Sequence, residues 1–267
     1  MPTTPDPTRP MRPEDIERER SDWRAFYSKW EGTPGAELLE GFTEGGRLQE
    51  EEFRDLFRRH GHFEGKRVLE VGFGIGVLAR LLRDEFPVAS YVGIELTEAS
   101  VANIQSESFP DSFRFEVCPA EEVGDRFPPK CFDIAVLHAV AHHFVDPAAC
   151  FRSIAKVARE LLALEPNRSH LFRRYLERKV NALPNQPVET SYTLWEWRGF
   201  LSAPGRQVRF SFTPYRLLPA NVLNWRGLRW VPRPLIHWAL KLDRRLVRVP
   251  PLRRFSYYLL LRAVYED

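Results

Sequence analysis

The sequence predicts a doubly wound α/β fold, in which parallel strands alternate with helices. Residues 68–71 form a short, largely apolar run with β-branched side chains, and a helical pattern starts at Val77. Between them stand three glycines at alternate positions, Gly72, Gly74 and Gly76. A second buried strand at 91–96 carries an acid near its end, Glu95, nineteen residues after the last glycine. Strand, tight loop, helix and acid-tipped strand in this order are typical of that fold.

The rest of the hydrophobic pattern continues this alternation. It predicts further strands at 113–117, 132–137, 161–164, 208–212 and 257–265, and helices at 14–29, 48–60, 98–106, 147–159, 169–182 and 234–247. Thr97 stands at the N-cap position of the helix at 98–106. No internal repeat is apparent, and 267 residues do not require a second domain.

The glycine-rich loop favours a nucleotide-type ligand. Glycine lets the backbone turn with positive φ, and without a Cβ a ligand can lie directly on the main chain. The amide groups at the start of the next helix then face a carboxylate or a phosphate. A dinucleotide fold has Gly-x-Gly-x-x-Gly, whereas Val77 stands here where its third glycine would fall. The spacing therefore disfavours a nicotinamide cofactor, and a bare strand-to-helix turn is the remaining alternative.

Two motifs resemble those of a known family. With Glu70 in front of it, the glycine loop resembles the first motif of the class I methyltransferases that use S-adenosylmethionine. Residues 132–147 resemble the Phe-Asp-x-Val…His-His…Asp-Pro segment of small-molecule methyltransferases of the ubiquinone-biosynthesis type. The resemblance covers residues 66–167. It implies an α/β, Rossmann-like, doubly wound seven-stranded sheet whose last strand is antiparallel.

The resemblance also implies where S-adenosylmethionine binds. The loop and Glu70 would hold its amino-acid half, and Leu137 with His138 would line the sulfonium. A carboxylate at Glu95 can accept hydrogen bonds from both ribose hydroxyls and would repel a 2′-phosphate, which supports adenosine over NADP. The residues expected to bind the cofactor are Glu70, Gly72, Phe73, Gly74, Gly76, Glu95, Leu96, Ala120, Glu121, Leu137 and His138.

The chain departs from the family pattern at two places. Pro119 stands where the class usually has an Asp, so the adenine contacts expected here are the Ala120 backbone and Glu121. Relatives usually have a Leu-x-Pro-Gly-Gly turn before the fifth strand, whereas residues 157–161 contain neither glycine nor proline. Either this turn is very short, or the helix runs on and the fifth strand is shifted or lost.

Three histidines follow the predicted fourth strand: His138, His142 and His143. A hydroxyl acceptor benefits from a general base near its proton, and imidazole suits that role near neutral pH. We predict His142 as this base; the alternative is that these histidines only cap the loop or hold the next helix. Because carboxylates are sparse here and no ligand spacing stands out, the sequence predicts no metal.

The expected organisation is one domain, preceded by a tail and a lid and interrupted by an insertion before its last strand. Residues 1–13 are rich in proline and threonine and are predicted to be a disordered tail. Residues 14–47 would form a helical lid, although their aromatic side chains could instead pack on the sheet. Residues 48–267 would form the methyltransferase domain, with an acceptor-side insertion and basic helix at 168–256.

Charge is distributed unevenly along the chain. The net charge is +3, but residues 201–267 alone carry +10 and residues 1–200 carry −7. These cations could simply solvate helix surfaces, or they could draw the protein to an anionic membrane or a lipid-linked substrate, because 234–248 pairs a Trp/Leu stripe with cations. Nucleic acid is not expected, since no recognised binding motif accompanies the charge.

Cysteine usage and hydropathy indicate a compartment. Three cysteines without C-x-x-C spacing argue against a disulfide framework or a zinc site and favour a reducing cytosol. The longest apolar stretch near the C-terminus, 255–261, is too short to cross a bilayer, and the proline-rich start is unlike a signal peptide. We therefore expect a cytoplasmic protein, with peripheral membrane contact as an extension.

The predicted function is transfer of a methyl group from S-adenosylmethionine to a small-molecule or lipid-like acceptor. Such a reaction mainly requires in-line placement of the acceptor, at about 3–3.5 Å, in a dry pocket. Oxygen, nitrogen and carbon acceptors all stay open, as does the oligomeric state. Two alternatives remain: a nucleoside-binding module of the same fold without turnover, and a nicotinamide-dependent oxidoreductase.

Overall fold

The computed structural model describes residues 13–27, 43–182, 187–202, 205–220, 223 and 230–266. The predicted tail, apart from its last residue, and much of the predicted lid lie outside the described residues. Within the described part no helix is both long enough and apolar enough to cross a membrane.

The central feature is a seven-stranded sheet with the order β3-β2-β1-β4-β5-β7-β6. Its strands are β1 (Arg67–Val71), β2 (Ser90–Glu95), β3 (Phe113–Val117), β4 (Ile134–His138), β5 (Glu160–Pro166), β6 (Gln207–Tyr215) and β7 (Tyr258–Glu266). Strands β1 to β5 pair in parallel, and β7 runs antiparallel to both β5 and β6. The predicted sheet with its antiparallel last strand is therefore confirmed. The chain order reverses between β1 and β4, and such a switch point opens a crevice at the carboxyl ends of the strands.

Helices cover both faces of the sheet. In the described ranges they are α1 (Pro13–Tyr27), α2 (Glu44–His60), α3 (Val77–Glu85), α4 (Glu98–Gln105), α5 (Val123–Arg126), α6 (Pro147–Val157), α7 (Arg173–Val180), α8 (Leu194–Phe200) and α9 (Arg233–Leu246). Side chains that alternate along a strand enter opposite cores: Leu137 packs in the cluster that contains α6, and Val136 in the cluster that contains α2 and α3. Burial on both faces explains why these strands read as continuous apolar runs.

The junction before the fifth strand takes the shorter of the two forms considered. Helix α6 ends at Val157, Ala158 caps it by donating its N–H to the carbonyl of Ile154, and β5 begins at Glu160. All seven residues of β5 are buried. The strand is neither shifted nor lost, so the edge of the crevice formed by β4 and β5 is regular.

Helix α8 is absent from the sequence-based prediction. It begins with a capping box, in which the hydroxyl of Thr193 accepts from the backbone N–H of Glu196 and the Glu196 carboxylate accepts from the backbone N–H of Thr193. The Thr-x-x-Glu pattern was a readable start signal. Its Trp197 is fully buried in the core beside α6, which anchors the helix.

The segment 168–256 contributes more than an insertion, because it supplies β6. Arg216, which follows β6, forms a buried ion pair with Glu52 of α2, in which its Nε donates to Oε2 of Glu52 at 2.6 Å, and Arg244 of α9 also donates to the Glu52 carboxylate. Burial alone would raise the pKa of Glu52, but hydrogen bonds from Arg216 and Tyr215 outweigh it and hold that pKa below its ordinary value. Arg216 also donates to the Leu240 carbonyl on α9 at 2.7 Å. Helix α9 is therefore joined to α2 through Glu52 and Arg216.

Candidate active site

A cavity opens at the carboxyl ends of β1, β2 and β4, where the switch point lies. It is lined by Trp23, Val71, Gly72, Gly74, Ile94, Glu95, Leu96, Cys118, Pro119, Ala120, Glu121, His138, Ala139, Val140, His143 and Phe144. Seven of the eleven residues expected to bind the cofactor are in this wall: Gly72, Gly74, Glu95, Leu96, Ala120, Glu121 and His138. The other four, Glu70, Phe73, Gly76 and Leu137, lie behind it.

The glycine loop requires its glycines for two separate reasons. Gly72, Gly74 and Gly76 have φ values of 71°, 55° and 78°, a region that side chains rarely adopt. A Cβ on Gly72 would also fall 2.3 Å from Cγ2 of Val140, and one on Gly76 would fall 2.3 Å from Cδ1 of Ile104. The loop is thus pressed against its neighbours, and its main chain forms the floor of the cavity.

The acid of the second strand lies directly on the loop. One oxygen of Glu95, Oε1, accepts from the backbone N–H of Gly74 at 2.8 Å, and Oε2 accepts from that of Leu96 at 2.9 Å. The two features that the sequence pairs as one nucleoside site are therefore in contact. Carboxylate oxygens can each accept more than one hydrogen bond, so this geometry is compatible with ribose hydroxyls.

The residues that follow β3 close one side of the cavity. Cys118, Pro119, Ala120 and Glu121 all face it. Pro119 holds extended backbone at φ −62° and ψ 144°, and Ala120 begins a 3-10 turn. Where the family usually has an Asp, this wall has the proline ring, which leaves Glu121 as its carboxylate.

Glu70 is buried beneath the loop and does not line the cavity. Its Oε2 accepts from the Tyr91 hydroxyl at 2.6 Å. Burial raises the pKa of Glu70 to about 8, against the opposing effect of that hydrogen bond. The residue is therefore largely protonated near neutral pH, and contact with the amino-acid half of a cofactor stays a prediction.

The other three residues behind the wall are packed rather than exposed to the cavity. Phe73 sits in a small core against α4 and meets the Phe115 ring edge-on, with centroids 5.2 Å apart. Leu137 is fully buried in the core beside α6. Gly76 is the N-cap of α3. Their influence on a ligand is through the position of the backbone.

His138 forms the cavity wall at the end of β4. Its ring lies edge-on to Phe53 and Phe57 of α2, with centroid distances of 5.6 Å and 5.3 Å. Its Nε2 is 3.5 Å from Oε1 of Glu50, also on α2. Helix α2 therefore fixes the imidazole that the sequence predicts beside the sulfonium.

His142, the predicted base, is held behind the wall by Glu165 at the end of β5. Its Nδ1 is 2.9 Å from Oε2 of Glu165, whose carboxylate also accepts from the backbone N–H groups of Val140, Ala141 and His142. Burial lowers the pKa of His142 to about 3 and raises that of Glu165 to about 7. The imidazole is thus neutral at pH 7. This geometry is that of a residue that holds the loop, and a role as base stays a prediction.

His143, rather than His142, faces the cavity. Its Nδ1 is 3.0 Å from the Val188 carbonyl, and its ring meets Trp23 of α1 edge-on at 4.9 Å. Trp23 belongs to the predicted lid and lines the cavity. His143, Trp23 and Glu165 are the site residues that the sequence left unassigned. Of these three, only His143 could have been predicted from the sequence, because it stands beside His142 in the same motif.

Comparison with known proteins shows which family these features resemble. A family model described as a methyltransferase domain matches residues 69–161. Over 108 residues the chain is 29% identical to the ubiquinone biosynthesis O-methyltransferase of Neisseria meningitidis serogroup A, which covers 39% of this chain and 44% of that protein. The chain thus aligns with less than half the length of this curated relative.

Solved structures share the fold at low sequence identity. An S-adenosylmethionine-dependent methyltransferase from Mesorhizobium loti aligns with a TM-score of 0.57 and 16% identity, over 85% of this chain and 99% of that one. Geranyl diphosphate C-methyltransferase from Streptomyces coelicolor A3(2), solved with Mg²⁺, geranyl diphosphate and S-adenosyl-L-homocysteine, aligns with a TM-score of 0.59 and 11% identity, over 82% and 81%. Together with the strand order, they show that this chain has the fold of the class I S-adenosylmethionine-dependent methyltransferases, and residues 69–161 match the methyltransferase-domain model.

Proposed function

We propose that this protein transfers the methyl group of S-adenosylmethionine to a small-molecule or lipid-like acceptor. The observation that carries the proposal is one continuous cavity. At one end it has the Glu95 carboxylate on the Gly74 amide, and at the other it has Trp23, His143 and Phe144. A nucleoside end and an aromatic end in one cavity are what such a reaction needs.

The cofactor end suits an adenosine with an amino-acid tail. Glu95 would accept from the ribose hydroxyls, the segment 118–121 would face the adenine, and the main chain of Gly72 and Gly74 would face the amino-acid half. When bound, the cofactor supplies a methyl group on a positively charged sulfur, and S-adenosylhomocysteine is the neutral thioether that leaves. The protein contributes position and exclusion of water, for which Trp23 and Phe144 are suited.

A lipid-like acceptor is favoured by the outer face of α9. Leu235, Trp238, Leu242 and Leu246 are 53%, 60%, 37% and 40% exposed. Exposed cations lie on the same helix or directly after it, namely Lys241, Arg244, Arg245 and Arg248. Aromatic and apolar side chains beside cations match the surface of an anionic membrane. The curated relative is named a ubiquinone biosynthesis O-methyltransferase, and a lipid-like acceptor for this chain would be in keeping with that name.

Two alternatives differ from this proposal in measurable ways. A nucleoside-binding module without turnover would bind S-adenosylhomocysteine but transfer no methyl group to any acceptor. A nicotinamide-dependent oxidoreductase would bind NAD instead. The backbone N–H of Gly74 donates to Glu95 at 2.8 Å, and Pro119 and Glu121 form the wall that would face the adenine. These features are compatible with a nucleoside-binding module and give no support to a nicotinamide-dependent oxidoreductase.

A ligand panel tests the proposal. Melting temperature is measured with S-adenosylhomocysteine, S-adenosylmethionine, NAD and NADP for wild type and for Glu95→Ala. We expect the first two ligands to raise the melting temperature of wild type, and Glu95→Ala to lose that shift while it still folds. Transfer of radiolabelled methyl groups from S-adenosylmethionine to a bacterial lipid extract then separates an enzyme from a binding module. A shift with NAD alone would overturn the proposal.

A further inference from the structure

One group of side chains next to the cavity has the composition of a metal site. His142 and His143 follow β4, and Glu189 comes from the distant segment that precedes α8. One ligand atom from each of the three lies within 4.8 Å of the others. A backbone hydrogen bond from the N–H of Thr190 to the carbonyl of His142, at 2.7 Å, holds the two segments together. Their proximity is therefore built into the main chain.

Both imidazole rings are oriented by hydrogen bonds at Nδ1. The partner of His143 is the Val188 carbonyl, which can only accept, so a neutral His143 carries its proton on Nδ1 and has its lone pair on Nε2. The partner of His142 is the Glu165 carboxylate at 2.9 Å. A carboxylate or carbonyl behind each histidine is the usual support of a metal-ligating imidazole, since it fixes the ring and the tautomer.

The carboxylate of Glu189 is likewise held in place. Its Oε2 accepts from Nη2 of Arg173 at 2.6 Å, and its backbone N–H donates to Oδ1 of Asn181 at 2.9 Å. Arg173 is itself buried, so the pair is fixed rather than solvated. This arrangement engages one carboxylate oxygen and leaves Oε1 to coordinate an ion. The guanidinium also balances the charge of the partly buried Glu189 carboxylate.

We propose that His142, His143 and Glu189 bind a divalent transition-metal ion, with Zn²⁺ as the expected ion. Two imidazoles and one carboxylate are the ligand set of many catalytic zinc sites, which keep a further position for water or substrate. Magnesium prefers oxygen ligands and is not expected here. This proposal departs from the sequence-based prediction of no metal, which considered local spacing and therefore did not include Glu189, a residue remote in the chain.

The position of this site indicates what it does. His143 lines the acceptor end of the cavity, so the remaining coordination position of the ion is within reach of an acceptor. A hydroxyl oxygen bound to the ion would lose its proton to water more readily and become a better nucleophile. The site thus selects an oxygen acceptor. This use of the ion rests on the proposed function, whereas the binding of the ion does not.

Metal binding is tested without any acceptor. The protein is stripped with a chelator and titrated with Zn²⁺, with Mg²⁺ as the second arm, against a chromogenic chelator. The variants are His143→Ala and Glu189→Gln. The control is His62→Asn, an exposed histidine that precedes the amino-terminal end of β1, whereas His142 and His143 follow the carboxyl end of β4. We expect one equivalent of Zn²⁺ for wild type and for His62→Asn, and binding at least about tenfold weaker for the two site variants.

Two further readouts keep the outcomes distinct. The visible spectrum of the Co²⁺-loaded protein reports the ligand set and should change in His143→Ala. Melting temperature with S-adenosylhomocysteine shows whether each variant still folds and binds the nucleoside. Less than a fifth of an equivalent of Zn²⁺ on wild type, or equal binding by all four proteins, would refute the metal site. Zinc binding without S-adenosylhomocysteine binding would instead refute the proposed function and leave the site standing.

Discussion

The two ends of the cavity are built in different ways. The cofactor end uses the glycine loop and the residues at the tips of β2 and β3, which are short local motifs in chain order. The acceptor end joins Trp23 from α1, His143 from the loop after β4 and, behind it, Glu189 from the segment before α8. A local motif can be read from a sequence, whereas an assembly of remote segments cannot. The sequence therefore predicts the cofactor end of the proposed methyltransferase site but not its acceptor end.

The largest expected effect is on cofactor binding, from a substitution in the glycine loop. Gly72→Ala puts a Cβ 2.3 Å from Cγ2 of Val140 at a φ of 71°, so the loop must move. We expect loss of S-adenosylhomocysteine binding by more than about 100-fold, measured by isothermal titration calorimetry. Gly65→Ala is the matched control, because Gly65 has φ 66° but nothing within 4 Å of its Cβ. It should cost about 1 kcal/mol of stability and leave binding unchanged.

The second expected effect concerns the Glu165 carboxylate, which holds the loop after β4. Glu165→Ala leaves three backbone N–H groups and the His142 ring without their acceptor. We expect a loss of about 2–4 kcal/mol in the free energy of unfolding, measured by urea denaturation, because buried donors without partners are costly. If the loop after β4 is instead held by its other contacts, the variant would lose less than about 0.5 kcal/mol.

A smaller effect is expected on membrane binding, from a substitution on the outer face of α9. Trp238→Ala removes an exposed aromatic residue from α9, and we expect about tenfold weaker binding to phosphatidylglycerol vesicles in a sedimentation assay. Trp195→Ala is the control, since Trp195 is 75% exposed but lies on α8. Wild type should bind neutral phosphatidylcholine vesicles weakly. Equal binding of both lipids, or equal loss in both variants, would contradict a role of this face.

The smallest effect is the pH dependence that Glu70 gives to the cofactor end. Its pKa rises from 4.5 to about 8 on folding, so the folded state favours the protonated form. Its contribution to stability is fully present below pH 4.5 and is lost as pH rises through about 8. Glu70→Gln should melt close to wild type at pH 5 and several degrees higher than wild type at pH 8.5, by differential scanning fluorimetry. A wild type that gains stability over that range relative to the variant would contradict this.

Particular residues show which features of the fold and the site could be predicted from the sequence. Strand β3 was predicted with the bounds Phe113–Val117 that it has, because its alternation is clear. The contact of Glu95 with the glycine loop follows from parallel strands that share a switch point. The sequence left the length of the turn after Val157 open, since no local signal fixes a turn without glycine or proline. Burial of Glu70 and the meeting of His143 with Glu189 depend on tertiary packing, which a local pattern does not encode.

The most direct measurement is a crystal structure with S-adenosylhomocysteine bound. Both ribose hydroxyls should lie within about 3.2 Å of the Glu95 carboxylate, with the homocysteine moiety over the main chain of Gly72 and Gly74 and the sulfur directed towards His138. Ligand bound elsewhere, or a ribose that makes no contact with Glu95, would contradict the assignment of this cavity as the cofactor site.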